Sequence, residues 1–253
     1  MTRLMRSTSL RTSINAPGAE GDSAGALSWL AALQLADSAF PAGLYAFSHG
    51  LETAVQEERV CDAAGLERFL EHWLAWQVGP GDAVVVAASH RAASAGSVSE
   101  LLEIDSFAAS TKLAREARES SVKTGARLLA TVTLLAPGHL PLQSFHAAVR
   151  AGQTPGTYGS AFGVSTAALA VPVHTAVLAE LHGAASSLLG AALRLMRLDH
   201  QQTQTILRRQ APRLANIAAE ALCADWRALR PSAPLAEIQQ MRHEAAYVRL
   251  FSS

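Results

Sequence analysis

The sequence predicts an all-α chain folded as a single compact multi-helix bundle, and three observations carry that prediction. Apolar residues recur at helical spacing: Leu66, Phe69, Leu70, Trp73 and Leu74 stand at i, i+3, i+4, i+7 and i+8 and lay a stripe along one face. No segment alternates apolar and polar residues between hairpin turns, and Val84-Val85-Val86, the most strand-like run, sits inside an alanine-rich helical stretch. The 253 residues are 49% hydrophobic and 17% charged, enough chain to bury a core without disulfides or metal.

In chain order, residues 1–25 read as a disordered N-terminal extension, and residues 26–253 as the helical domain. Arg3, Arg6 and Arg11 lie among Ser and Thr, no acid precedes Glu20, and the segment through Gly18 and Gly25 lacks apolar periodicity. Its composition is shared with organelle transit peptides, but it lacks the apolar region of a secretory signal, so the expected location is cytoplasmic. Asp62 is the expected N-cap of the Leu66–Leu74 helix, which should stop near Gly79-Pro80-Gly81. Ser97 and Glu100 have capping-box spacing ahead of Leu101, Leu102, Ile104 and Phe107.

From Thr111 to Leu135 the chain has no Pro and one Gly, which predicts one long helix. The pairs Lys112–Glu116, Arg115–Glu119 and Glu119–Lys123 are each four apart and read as a solvated, ion-paired face. Pro137-Gly138 closes that helix, and Gln153 to Gly156 forms another loop. Pro172 divides expected helices at residues 158–170 and 173–197, and Pro212 sits near the first turn of another at 213–229. Pro231 and Pro234 precede a final helix with the stripe Leu235, Ile238, Met241, Ala245 and Val248.

Several functions are disfavoured. Lys plus Arg and Asp plus Glu number 21 each, so no net field steers the chain to nucleic acid or acidic lipid. Ala151 to Ala179 is uncharged and long enough to span a bilayer. Gly152, Pro155, Gly156 and Pro172 interrupt it, so it reads as central helices of a bundle rather than a membrane segment. Cys61 and Cys223 are far apart with no CxxC pair, and the nine histidines show no ligand spacing on one face, so no metal site is expected. Neither GxxxxGK[ST] nor GxGxxG occurs, and no cofactor is expected. Ala46-Phe47-Ser48-His49-Gly50 is one substitution from a nucleophile elbow. The preceding Phe40-Pro41-Ala42-Gly43-Leu44 makes a poor strand, so Ser48 reads as a helix-start or packing residue. A serine hydrolase built on Ser48 is one alternative, and a generic helical adaptor the other.

Two segments carry more pattern than packing requires. The first runs from Leu33-Gln34-Leu35-Ala36-Asp37-Ser38-Ala39-Phe40-Pro41-Ala42-Gly43 through Tyr45, Phe47 and Ser48 to Gly50-Leu51-Glu52. The second is Met241-Arg242-His243-Glu244, then Tyr247, then Arg249-Leu250-Phe251. Both resemble the urease accessory protein F family, whose members show a Pro-x-Gly turn and Ser-x-Gly-Leu-Glu near the start. Members end in a Met-Arg-His-Glu helix and a Tyr-x-Arg-Leu-Phe tail. The resemblance extends along residues 27 to 253, and Thr157-Tyr158 with Phe162 looks like the family's Thr-Tyr-x-x-x-Phe helix.

The resemblance implies an all-α, commonly homodimeric protein without catalysis of its own. It would bridge the urease accessory protein D (also called H) to the GTPase accessory protein G, for nickel insertion into apo-urease, with a regulatory effect on GTP hydrolysis. Partner contact is expected at Pro41, Gly43, Tyr45, Phe47, Ser48, His49 and Glu52, and at Arg242, His243, Glu244, Tyr247, Arg249, Leu250 and Phe251. Pro41 and Gly43 give the turn a defined shape, and Tyr45 and Phe47 offer aromatic area there. A terminal Leu250-Phe251 needs a partner surface or a fold-back, and the expectation is that the tail orders on docking to the D-type partner.

Overall fold

The computed structural model describes residues 19–37, 39–247 and 249–251, and among them there are helices and turns but no strand. Helix α1 (Ala19–Ala36) leads through a 3₁₀ turn (Leu44–Ala46) to α2 (Leu51–Gln56) and α3 (Ala63–Trp73). Then follow a π-helical segment (Leu74–Ala83), α4 (Val84–Ser94), α5 (Val98–Ser110) and α6 (Arg115–Leu135). The chain continues through α7 (Leu140–Arg150), α8 (Tyr158–Ala168), α9 (Val173–Leu195) and α10 (His200–Cys223), and ends with a 3₁₀ turn (Trp226–Ala228) and α11 (Pro234–Glu244). Helix α1 begins at Ala19, so the last part of the expected disordered extension is helical; residues 1–18 lie outside the described residues.

At the centre lies α8. Its residues from Gly159 to Thr166 are all buried, and α4 makes the most extensive helix–helix contact in the described fold against it. Small residues make that approach feasible: a Cβ on Gly163 would stand 2.6 Å from the Val86 carbonyl oxygen, and one on Gly159 3.0 Å from Val85. Beside this pair, α9 packs against α10, α4 and α1. Helix α9 is long and apolar enough to cross a membrane by length and composition, and 56% of that stretch is buried inside the bundle.

The N-terminus of α8 is held by the buried carboxylate of Asp105 on α5. That carboxylate accepts from the Gly156 and Thr157 backbone N–H groups at 2.6 and 2.7 Å and from the Thr154 and Thr157 hydroxyls at 2.6 Å each. Four donors on one carboxylate satisfy it and fix the loop that turns the chain into the core.

Three boundaries and one cap differ from what the sequence predicts. The chain does not stop at Gly79-Pro80-Gly81: the missing Pro80 N–H is absorbed by the wider π-helical turn, which carries α3 into α4. Pro212 lies inside α10 rather than at its start, and α10 begins at a full capping box of Asp199 and Gln202. Ser97 stands at the N-cap of α5 without making a side-chain cap bond, whereas Asp62 caps α3 as expected, accepting from Gly65 N at 2.7 Å. Residues 111–114 interrupt the long charged helix. Lys112 therefore leaves the expected Glu116 and binds both oxygens of Asp82, at 2.8 and 2.9 Å.

Candidate partner-binding site

The two patterned segments, about as far apart in sequence as the chain allows, meet in space on one side of the bundle. The first contributes a turn with two left-handed glycines, Gly43 (φ +83°) and Gly50 (φ +86°). At Gly50 a side chain would also meet backbone, since a Cβ there would lie 2.9 Å from the Ala236 carbonyl oxygen, whereas at Gly43 it would meet only the movable Arg127 guanidinium. Gly50 thus lets α11 lie directly on the start of α2. His49 shares the strain at φ +53° and stacks on Trp73 with ring centroids 4.7 Å apart. Burial there lowers the His49 pKa to about 4, so the ring is neutral at physiological pH.

Helix α11 docks inside out. The apolar stripe legible in the sequence points to solvent, with Leu235, Ile238 and Met241 at 62%, 44% and 43% exposure. Its buried face is Ala236, Glu237, Gln239, Gln240 and His243. Polar partners await these groups on the turn and α2: Gln239 donates to Glu57 at 3.1 Å, and Gln240 to the His49 carbonyl at 3.4 Å. At the helix edge, Arg242 binds both oxygens of Glu57 at 2.8 and 2.9 Å.

The centre of the site is a buried ionic cluster. His243, fully buried, contacts Glu116 on α6 through Nδ1 at 2.7 Å and Glu52 on α2 through Nε2 at 3.0 Å. A neutral imidazole has one N–H to donate, so satisfying both contacts requires an imidazolium or one protonated carboxyl in the trio. With Arg249 bound to Glu116 at 2.8 Å, two carboxylates face one guanidinium and one imidazolium, a charge-neutral set when His243 carries two protons.

This cluster overturns the expectation of a tail ordered only on a partner. Glu52 accepts the backbone N–H groups of Leu250 and Phe251 at 2.7 and 3.1 Å, and so holds the tail back on its own bundle. Phe251 is buried, with the Arg194 guanidinium 4.2 Å from its ring centroid. Tyr247 and Leu250 remain outside, at 102% and 70% exposure.

The expected contact residues therefore divide into two groups. Phe47, Ser48, Glu52, His243 and Phe251 are buried and shape the site from within. Ser48 in particular lacks the exposure that a nucleophile elbow gives its serine. Pro41, Arg242, Tyr247, Arg249 and Leu250 are exposed. Glu244 is intermediate: its carboxylate takes Arg115 and the Glu116 backbone N–H, both at 3.2 Å, at the N-terminus of α6. Tyr45 contributes backbone to the 3₁₀ turn, and its side chain lies outside the described residues. Glu57 carries no sequence signal, and Glu116 reads in sequence as one member of a solvated ion-paired face. Glu116 sat in a run of charges four apart, where nothing distinguishes the one that turns inward.

A family model described as UreF matches residues 60–211, more than half of the chain. The chain is 34% identical over 224 residues to a urease accessory protein UreF of Cereibacter sphaeroides, covering 88% of this chain and 98% of that protein. It is 33% identical over 219 residues to the urease accessory protein UreF 2 of Brucella abortus, covering 87% of this chain and 89% of that protein. The same identity and length hold for the urease accessory protein UreF 1 of Brucella melitensis, with 87% and 90% covered.

Proposed function

This chain belongs to the UreF family of urease accessory proteins, and from that premise we propose that it is a non-catalytic maturation factor. In this reading it works in the cytoplasm as a homodimer. It bridges the D/H-type accessory protein to the G-type GTPase, modulates GTP hydrolysis, and supports nickel delivery into apo-urease without a cofactor of its own.

One observation carries the bridging role: α11 turns its apolar stripe outward. A helix that needed only to cover the bundle would bury Leu235, Ile238 and Met241 and leave its glutamines wet. Here Gln239, Gln240 and His243 turn inward to partners within the chain, and the apolar face is left to solvent, open to another protein. The ionic cluster ties the tail to the bundle through Arg249 and the Leu250 and Phe251 N–H groups, so the tail is ordered before a partner arrives and loses less entropy on binding.

The test is capture by the tagged full-length chain of the D/H-type and G-type accessory proteins, with GTP and magnesium present. Both partners should co-elute with the wild type. The double substitution Ile238→Lys and Met241→Lys should keep the helical circular-dichroism signal and lose the D/H-type protein. Unchanged capture by that variant would remove α11 from the interface. Failure of the wild type to retain either partner would refute the bridging role.

A further inference from the structure

A second polar feature lies beneath the first patterned segment, with Phe47, His49 and Gln240 on its wall. Between α3, the π-helical segment, α6, α8 and α9 is a cavity of about 80 Å³, lined by His49, Gln77, Asp82, Lys112, Tyr158 and Glu180 among others. Glu180 is buried to 3% exposure, and its Oε2 has no hydrogen-bond partner. Gln77 Oε1, on the same cavity wall, is also without a donor. Buried polar atoms in native proteins are nearly always paired, so two open acceptors on residues that line one cavity leave a place for a donor or cation.

The other charged groups restrict what that species is. Asp82 is already neutralised by Lys112, which binds both of its oxygens, so the uncompensated acceptor is Glu180. Among the described residues no three His, Cys, Asp or Glu side chains are grouped to hold a metal ion, which argues against a transition metal. A monovalent cation such as potassium is coordinated by carbonyl-type oxygens and needs fewer anionic ligands. We propose that this cavity binds one monovalent cation of potassium or ammonium size, held by the free oxygens of Glu180 and Gln77. Water could donate to both atoms, but only a proton or a cation cancels the charge of a buried carboxylate.

Proton and cation therefore compete for Glu180. Burial and the neighbouring Asp82 raise its pKa well above the ordinary carboxylate range, with Lys112 opposing. Tyr158, facing the same space from α8, is held in its O–H form by burial, and His49 is neutral. Cation binding should thus release a proton and strengthen as pH rises.

Thermal unfolding of the full chain at pH 8 and constant ionic strength, in ammonium, potassium, sodium and choline chlorides, tests this. Ammonium or potassium at about five times its Kd should raise Tm over choline by about 2–4 °C, the shift that about 1 kcal/mol gives a chain of this size. A larger shift in ammonium would identify a site that uses hydrogen-bond donors; one in potassium, a site of bare oxygen ligands. Glu180→Gln, which removes the charge at constant shape, should abolish the difference. Equal Tm in all four salts, or an undiminished response in Glu180→Gln, overturns the proposal. Thallous ion diffused into crystals of the wild type should give an anomalous peak in the cavity, and no peak there would also overturn it.

Discussion

Helices α8 and α11 are equally short and oppositely built. Helix α8 is buried on nearly every side by apolar and small residues, and its register against α4 is set by hard contacts at Gly159 and Gly163. Helix α11 buries glutamines, a glutamate and a histidine, and leaves Leu235, Ile238 and Met241 in solvent. The first is held by exclusion of water and close packing. The second is held by hydrogen bonds and ion pairs centred on His243, a network that loses most when one charged member is removed. A core helix tolerates partial loss; a polar latch does not.

The largest effect should follow from opening that latch. His243→Ala leaves Glu52 and Glu116 buried beside each other with only Arg249 to compensate, and should cost about 3–5 kcal/mol in urea unfolding. A cost below about 1 kcal/mol would mean the cluster is more hydrated than its burial indicates.

Next comes acid. His49, beneath α11, has a folded pKa of about 4 against an ordinary value of 6.5. The unfolded chain therefore takes up a proton first as pH falls. Stability from this group is intact above pH 6.5 and is lost between 6.5 and about 4, by up to roughly 3 kcal/mol. His49→Asn, which tolerates the positive φ, should flatten that part of the pH–stability curve.

The matching attack on α8 is Gly163→Ala. Its Cβ would meet the Val86 carbonyl oxygen at 2.6 Å and the His90 backbone nitrogen at 3.0 Å, so α4 must shift, at about 1–3 kcal/mol. The smallest stability effect belongs to the outward stripe: Met241→Lys should change unfolding by no more than about 0.5 kcal/mol while weakening partner capture. That separation of stability from binding is what an inverted helix predicts.

Much of the helical skeleton was legible because local chemistry writes it. Asp62 caps α3, Pro172 separates α8 from α9, and Pro234 opens α11, each acting on its own backbone within a turn. Pro80 and Pro212 misled because a helix can carry a proline when neighbouring packing exceeds the cost of one lost bond. Lys112 misled because spacing of four matters only if the helix is continuous, and it breaks at residues 111–114.

The sequence by itself determined the helical class and the two patterned ends. It also marked α11 as amphipathic, because periodicity records which residues share a face. Tertiary structure alone decided which way that face points, that Glu116 and Glu52 turn inward to His243, and that the tail folds back. Those outcomes depend on acceptors and charges brought together from positions 52, 116 and 243, and no local rule connects residues so far apart.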